Sequence, residues 1–187
     1  MTTVINHPDS FKTGIRVFTS VLRNKDKSDG QKKRKSYVLI SRNVQEFDDN
    51  IVKITKEMTD GERLYVSVHP CDARKAVKTF KQAQVEADYN PDYLSFYISA
   101  KDRFASSLMK NPVKKDRLWL LDIDSDKEYS EIENDILTFY DRSGDMTPYT
   151  YKTKNGHHII LKPFNSTECS DTFKSCLNKN ALMLWAY

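Results

Sequence analysis

Hydrophobic and polar residues in the first half of the chain alternate between two periods. From Asp9 to Arg23, Phe11, Ile15, Phe18 and Leu22 recur at three- and four-residue steps, which predicts a helix, with Gly14 against it. SYVLISR (Ser36 to Arg42) reads as a strand. VQEFDDNIVKITKEM (Val44 to Met58) carries Phe47, Ile51 and Ile54 at helical spacing. Asp60-Gly61 marks a turn before RLYVSV, where Leu64, Val66 and Val68 alternate with Tyr65 and Ser67. Asp72 suits a helix cap. The helix behind it would turn inward either Ala73, Val77 and Phe80, or Ala76, Phe80 and Ala83. A further helix is expected within Tyr97 to Lys110.

The second half is patterned more sharply. LWLLDID (Leu118 to Asp124) predicts a strand. Ser125-Asp126-Lys127-Glu128 has the form of a capping box and opens a helix with Ile132, Ile136 and Phe139 on one side. After a turn at Gly144 to Pro148, PYTYKTK and HHIILKPF predict a hairpin around Lys154-Asn155-Gly156. A helix from Thr167 to Leu177 and a last strand, ALMLWAY, follow. The predicted class is therefore α+β. Residues 111–187 form an RNA-recognition-motif-like or ferredoxin-like βαββαβ module with one open sheet face. Residues 1–110 form an additional α/β portion, SYVLISR and RLYVSV giving it a β layer. The two portions are expected to make one compact unit.

Composition narrows the class. The chain has 187 residues, 39% hydrophobic and 30% charged, and no apolar run near the roughly 18–20 residues that span a bilayer. MTTVINHPDSFK has neither a basic nor an apolar leader region, so a cytoplasmic protein with no membrane partner is expected. Cys71, Cys169 and Cys176 lack zinc-ligand spacing and read as reduced thiols. The net charge of +4 is modest. Its distribution is uneven: RNKDKSDGQKKRK, Arg23 to Lys35, sets seven basic residues against two aspartates, and KNPVKKDR precedes the LWLLDID strand. Both read as solvated loops unless they flank a phosphate site. In that case Arg23, Lys32, Lys33, Arg34 and Lys35 would contact DNA or RNA.

Asp122 and Asp124, two apart on a strand, point to the same face and repel each other. A divalent metal, Mg²⁺ or Mn²⁺, is the usual compensation for such a pair. The alternative is a strand end that faces water and caps the next helix. The adjacent His157 and His158 face opposite ways. His157 sides with Ile159 and Leu161 toward a core, and His158 with Ile160 and Lys162. A phosphate-binding glycine loop, a zinc cluster and a nucleophile elbow are all missing from the sequence.

A hydrophobic strand ending Asp122-x-Asp124, then a helix, then a hairpin with Thr153, Gly156 and His158, resembles the archaeo-eukaryotic primase or primase-polymerase superfamily. The likeness runs from Leu118 to the C-terminus. It implies that Asp122 and Asp124 hold metal and that Asp122, Asp124 and His158 are catalytic. Thr153, Lys154, Gly156, His158 and Lys162 would lie around the phosphates of a nucleoside triphosphate. The implied activity is nucleotidyl transfer to a nucleic-acid or other acceptor, with a partner protein supplying functions so short a chain lacks. The family expects a third acid on a later strand. LNKNALMLWAY offers Asn178 and Asn180 instead, Asn180 standing at the expected place, with Glu168 and Asp171 as substitutes on a predicted helix. That departure keeps two alternatives open: an inactive scaffold binding nucleotide, nucleic acid or protein, and a metal-dependent nuclease or phosphodiesterase.

Overall fold

The computed structural model describes residues 2–22, 34–59, 61–141, 148–153, 156–179 and 182–187. Among them the chain is mixed α+β, with eight strands in two four-stranded sheets and six α-helices. It divides into two compact units, Met1–Asp116 with Leu184–Tyr187, and Arg117–Met183. None of the described helices is long and apolar enough to cross a membrane.

The sheet of the first unit has the order β2-β1-β3-β8, from β1 (Gly14–Leu22), β2 (Arg34–Ser41), β3 (Glu62–Ser67) and β8 (Leu182–Ala186). β1 pairs antiparallel with both neighbours, Val17 opposite Val38 and Phe18 opposite Val66. The helix expected over Asp9 to Arg23 is thus a single turn of 3-10 helix at Asp9–Phe11 followed by a central strand. A strand buried on both faces has no clean alternation, and its apolar residues matched a helical period by chance. The β-branched Ile15, Val17, Thr19 and Val21 favour the strand. Arg34 and Lys35 also leave the expected loop and lie in β2, opposite Val21 and Ser20.

α1 (Val44–Lys56) is capped by Asn43, whose side chain accepts from the Glu46 N–H, and buries Phe47, Ile51 and Ile54 as the spacing predicts. Phe47 packs between Phe18 and Trp185, at ring distances of 5.2 and 5.0 Å. Asp72 caps α2 (Ala73–Asp88) through the Lys75 N–H. Of the two faces considered for α2, the one with Ala76 turns inward, whereas Val77 is exposed. The helix expected within Tyr97 to Lys110 is α4 (Ala100–Met109), and a further short helix, α3 (Tyr93–Ile98), precedes it across Ser99. Ala76, Ala105 and Leu108 pack with Val17 and Cys71 in one core cluster.

The last strand departs from expectation. ALMLWAY does not complete the second sheet, because β8 joins the first beside β3. Its outer side is occupied by the N-terminal segment: the Thr3 N–H donates to the Tyr187 carbonyl and the Ile5 N–H to that of Trp185. Met183 through Ala186 are all buried. An apolar run flanked on both edges marks an inner strand, but nothing in the run names the sheet that receives it.

The second unit is built from β4 (Trp119–Ile123), α5 (Asp126–Asp135, running on into a π-helical turn at Ile136–Tyr140), β5 (Tyr149–Lys152), β6 (His157–Leu161), α6 (Asp171–Cys176) and β7 (Leu177–Asn178). The strand order is β5-β6-β4-β7, with antiparallel pairing of β4 to β6 and β7 and of β5 to β6. The fourth strand is therefore Leu177–Asn178, which begins at the last residue of the expected Thr167–Leu177 helix. Trp119, Leu121, Ile123, Ile159 and Leu161 meet Ile132, Ile136, Tyr140 and Phe173 on the helix side. Asp135 accepts from both the N–H and the hydroxyl of Ser170, tying α5 to the start of α6. On the other sheet face Leu120 and Ile160 are only 3% and 2% exposed, whereas Asp122 is exposed.

Candidate functional site

β4 is buried at Trp119, Leu120, Leu121 and Ile123, and only Asp122 within it is exposed. Asp124, two residues on, is exposed as well. Asp122 lies within β4 and Asp124 just beyond its last residue, the two Cα positions about 7 Å apart along an extended chain. α5 begins immediately beyond. Ser125 caps it through the Glu128 N–H, as the capping-box pattern requires. The reciprocal bond is displaced by one residue: the Glu128 carboxylate accepts from the Asp124 N–H at 3.3 Å. Glu128 thus brings a third carboxylate to this end of β4, a residue that sequence reasoning treated only as a cap.

The β5–β6 hairpin closes over the same place. The Thr153 N–H donates to the Gly156 carbonyl at 2.8 Å. A β-carbon on Gly156 would lie 1.9 Å from the Ile123 carbonyl oxygen and 3.2 Å from the Asp124 Cα. Glycine is required there because the hairpin backbone runs against the strand end that carries the acids.

Register then sets the contacts. Asp122 lies opposite His158 across β4 and β6, and His158 opposite Tyr151 across β6 and β5. Directly opposed residues share a face. His158 Nε2 is 2.9 Å from Asp122 Oδ1, and Tyr151 Oη is 2.8 Å from His158 Nδ1. An ionised carboxylate only accepts, so Nε2–H donates to Asp122; in the neutral ring Nδ1 then accepts from the tyrosine hydroxyl. The His158 hydrogen bond, opposed by partial burial, holds the Asp122 carboxyl below its ordinary pKa. His157, on the other face, packs against the Tyr129 ring at 4.6 Å.

α6 delivers Cys176 to this end of the unit. Its thiol is held above the ordinary value by burial and by the negative charge of Glu128, Asp122 and Asp124, with the Ser175 hydroxyl opposing. On β7, Asn178 stands opposite Leu120. Asp171 sits at the other end of α6, 3.9 Å from Lys174, so it does not take the place of a third acid beside Asp122. Glu168 lies before α6 near Cys169.

Asp122, Asp124, Gly156, Thr153 and His158 are therefore brought together. Lys162 is not: it follows β6 four residues beyond His158, about 13 Å along the strand. There its N–H donates to the Tyr140 hydroxyl. Lys154, Asn180, Arg23, Lys32 and Lys33 lie outside the described residues. Tyr151, Glu128 and Cys176 are the additions. Only Glu128 left a sequence signal, its capping-box position.

Among the described residues no group of three or more His, Cys, Asp or Glu side chains is arranged to hold a metal ion. Two exposed carboxylates, one with Oδ1 committed to His158, nevertheless match the way Mg²⁺ is commonly held, by one or two carboxylates completed by water and substrate phosphates. No family model, curated protein or solved structure matches the chain.

Proposed function

We propose that the second unit is a primase-polymerase-like module that binds a nucleoside triphosphate with Mg²⁺ or Mn²⁺ and transfers a nucleotidyl group to a nucleic-acid or other acceptor. The observation that carries it is the pair of exposed carboxylates, Asp122 in β4 and Asp124 just beyond its end, with Asp122 bonded to His158. The β-α-β-β-α-β succession and the order β5-β6-β4-β7 support an RNA-recognition-motif-like reading of the sheet.

In this account Asp122 and Asp124 hold the metal. A bound divalent ion supplies Lewis-acid stabilisation of the triphosphate charge. The acceptor hydroxyl oxygen forms a bond to the α-phosphorus, the bond from that phosphorus to the bridging oxygen breaks, pyrophosphate leaves, and the hydroxyl proton passes to solvent. Gly156 lets the hairpin backbone approach the acids closely, and His158 fixes one oxygen of Asp122. The basic stretch from Arg23 to Lys35 adds sequence-independent attraction for a polyanionic acceptor.

One observation favours a second reading. β7, the strand after α6, carries Asn178 and no carboxylate, and the expected place of the third acid is held by Asn180 in the sequence, which suits a scaffold that binds nucleotide or nucleic acid without turnover. Incubation with Mn²⁺, labelled nucleoside triphosphates and a DNA or RNA acceptor separates the outcomes. Extended acceptor that disappears in Asp122→Ala and Asp124→Ala supports transfer. Shortened acceptor points to a nuclease, and binding without product to the scaffold.

A further inference from the structure

We propose that Tyr151 and His158 act as positioning residues for Asp122, and that His158 does not itself hold phosphate. The inference rests on the assignment of Asp122 as a metal ligand and gives His158 a different role from the one implied by the primase resemblance.

The three side chains come from three adjacent strands at directly opposed positions, so the sheet register builds the chain Tyr151–His158–Asp122. Both ring nitrogens are engaged, at 2.8 and 2.9 Å. Phosphate oxygens are acceptors and need an N–H donor, but the N–H of the neutral ring already points to Asp122. A doubly protonated ring changes nothing, because Nδ1–H would then donate to the tyrosine oxygen. Access points the same way. The His158 side chain is 9% exposed, whereas that of Asp122 is 54% exposed. A ligand arriving from solvent reaches the carboxylate.

Fixing Oδ1 fixes the orientation of the whole carboxylate and so the direction in which Oδ2 presents itself. Such outer partners of ligating groups change metal affinity by about tenfold to a hundredfold when removed. Tyr151 acts one bond further out: it holds the imidazole in the orientation and tautomer that keep Nε2–H on Asp122.

The test is Mn²⁺ titration, read by electron paramagnetic resonance without nucleotide, on wild type, Tyr151→Phe, His158→Ala, His158→Gln and the Tyr151→Phe/His158→Ala double variant. Nucleoside triphosphate binding is measured separately. Positioning predicts that Tyr151→Phe and His158→Ala each weaken Mn²⁺ binding about tenfold or more. The double variant is no worse than His158→Ala, and His158→Gln, which keeps a donor toward Asp122, recovers part of the loss. Unchanged Mn²⁺ affinity alongside weakened triphosphate binding overturns the inference while leaving the metal assignment standing. A wild type that binds no Mn²⁺ overturns the metal assignment, and ring ¹⁵N spectra at one fixed pH then decide on the chain. An Nε2–H tautomer whose Nδ1 resonance moves in Tyr151→Phe sustains it, and an unmoved Nδ1 removes it.

Discussion

Gly156 lies so close to Ile123 that a β-carbon on the glycine would sit 1.9 Å from the isoleucine carbonyl oxygen. The obstructing atom is backbone, so no side-chain rotation relieves it. Gly156→Ala must displace the hairpin from the end of β4. The expected cost is about 3 kcal/mol, at the upper end of overpacking effects, read as a lowered urea midpoint. Wild-type stability in this variant would mean that the hairpin does not lie against the end of β4.

Tyr151→Phe removes the hydroxyl that satisfies the buried Nδ1 of His158. Leaving a buried acceptor unpaired costs about 1–3 kcal/mol. In a His158→Ala background the same change should cost much less, because the partner is already gone. A double-mutant cycle by denaturant unfolding measures that coupling. Equal costs in both backgrounds would show the two side chains to be independent.

The Asp122 carboxyl is held below its ordinary value by the His158 hydrogen bond. A carboxyl whose folded-state value is depressed contributes stability above its unfolded value, near 3.9, and loses it as the pH falls through the folded one. Wild type should therefore lose more stability than Asp122→Asn between pH 6 and pH 3. Parallel pH profiles of the urea midpoint would exclude this contribution.

Trp185, on the last strand, packs against Phe47 at 5.0 Å and His7 at 4.5 Å in the first unit. His7 Nε2 is also hydrogen-bonded to the Leu184 carbonyl. Trp185→Ala is expected to cost about 3–5 kcal/mol. Backbone amide shifts should change around Phe47 and His7, as read in a ¹⁵N–¹H spectrum. Unperturbed resonances there would place the strand elsewhere.

What the sequence made legible was set by local chemistry. The Asp72 and Ser125 caps are read from short side chains that reach a backbone N–H three residues on, and both form. Sharp amphipathic spacing marked the buried face of α1. β1 was misread because a central strand buried on both faces loses the period of two. The sheet that receives β8 was not legible, since Met183 to Ala186 would suit any inner strand. At the candidate site, spacing singled out Asp122 and Asp124, and both are exposed. It could not show Tyr151 beside His158, because that contact depends on the register of the β5–β6 hairpin, a relation between strands.

The most direct measurement is the thermal unfolding of wild type and Asp122→Ala with Mn²⁺, a nucleoside triphosphate, and both together. At about a hundred times the dissociation constant, a ligand stabilises the folded state by roughly 2.7 kcal/mol. The account predicts a stabilisation of this order in wild type when both ligands are present, and its loss in the variant. An equal shift in both proteins, or none in wild type, would contradict the claim that Asp122 and Asp124 hold a metal–nucleotide complex.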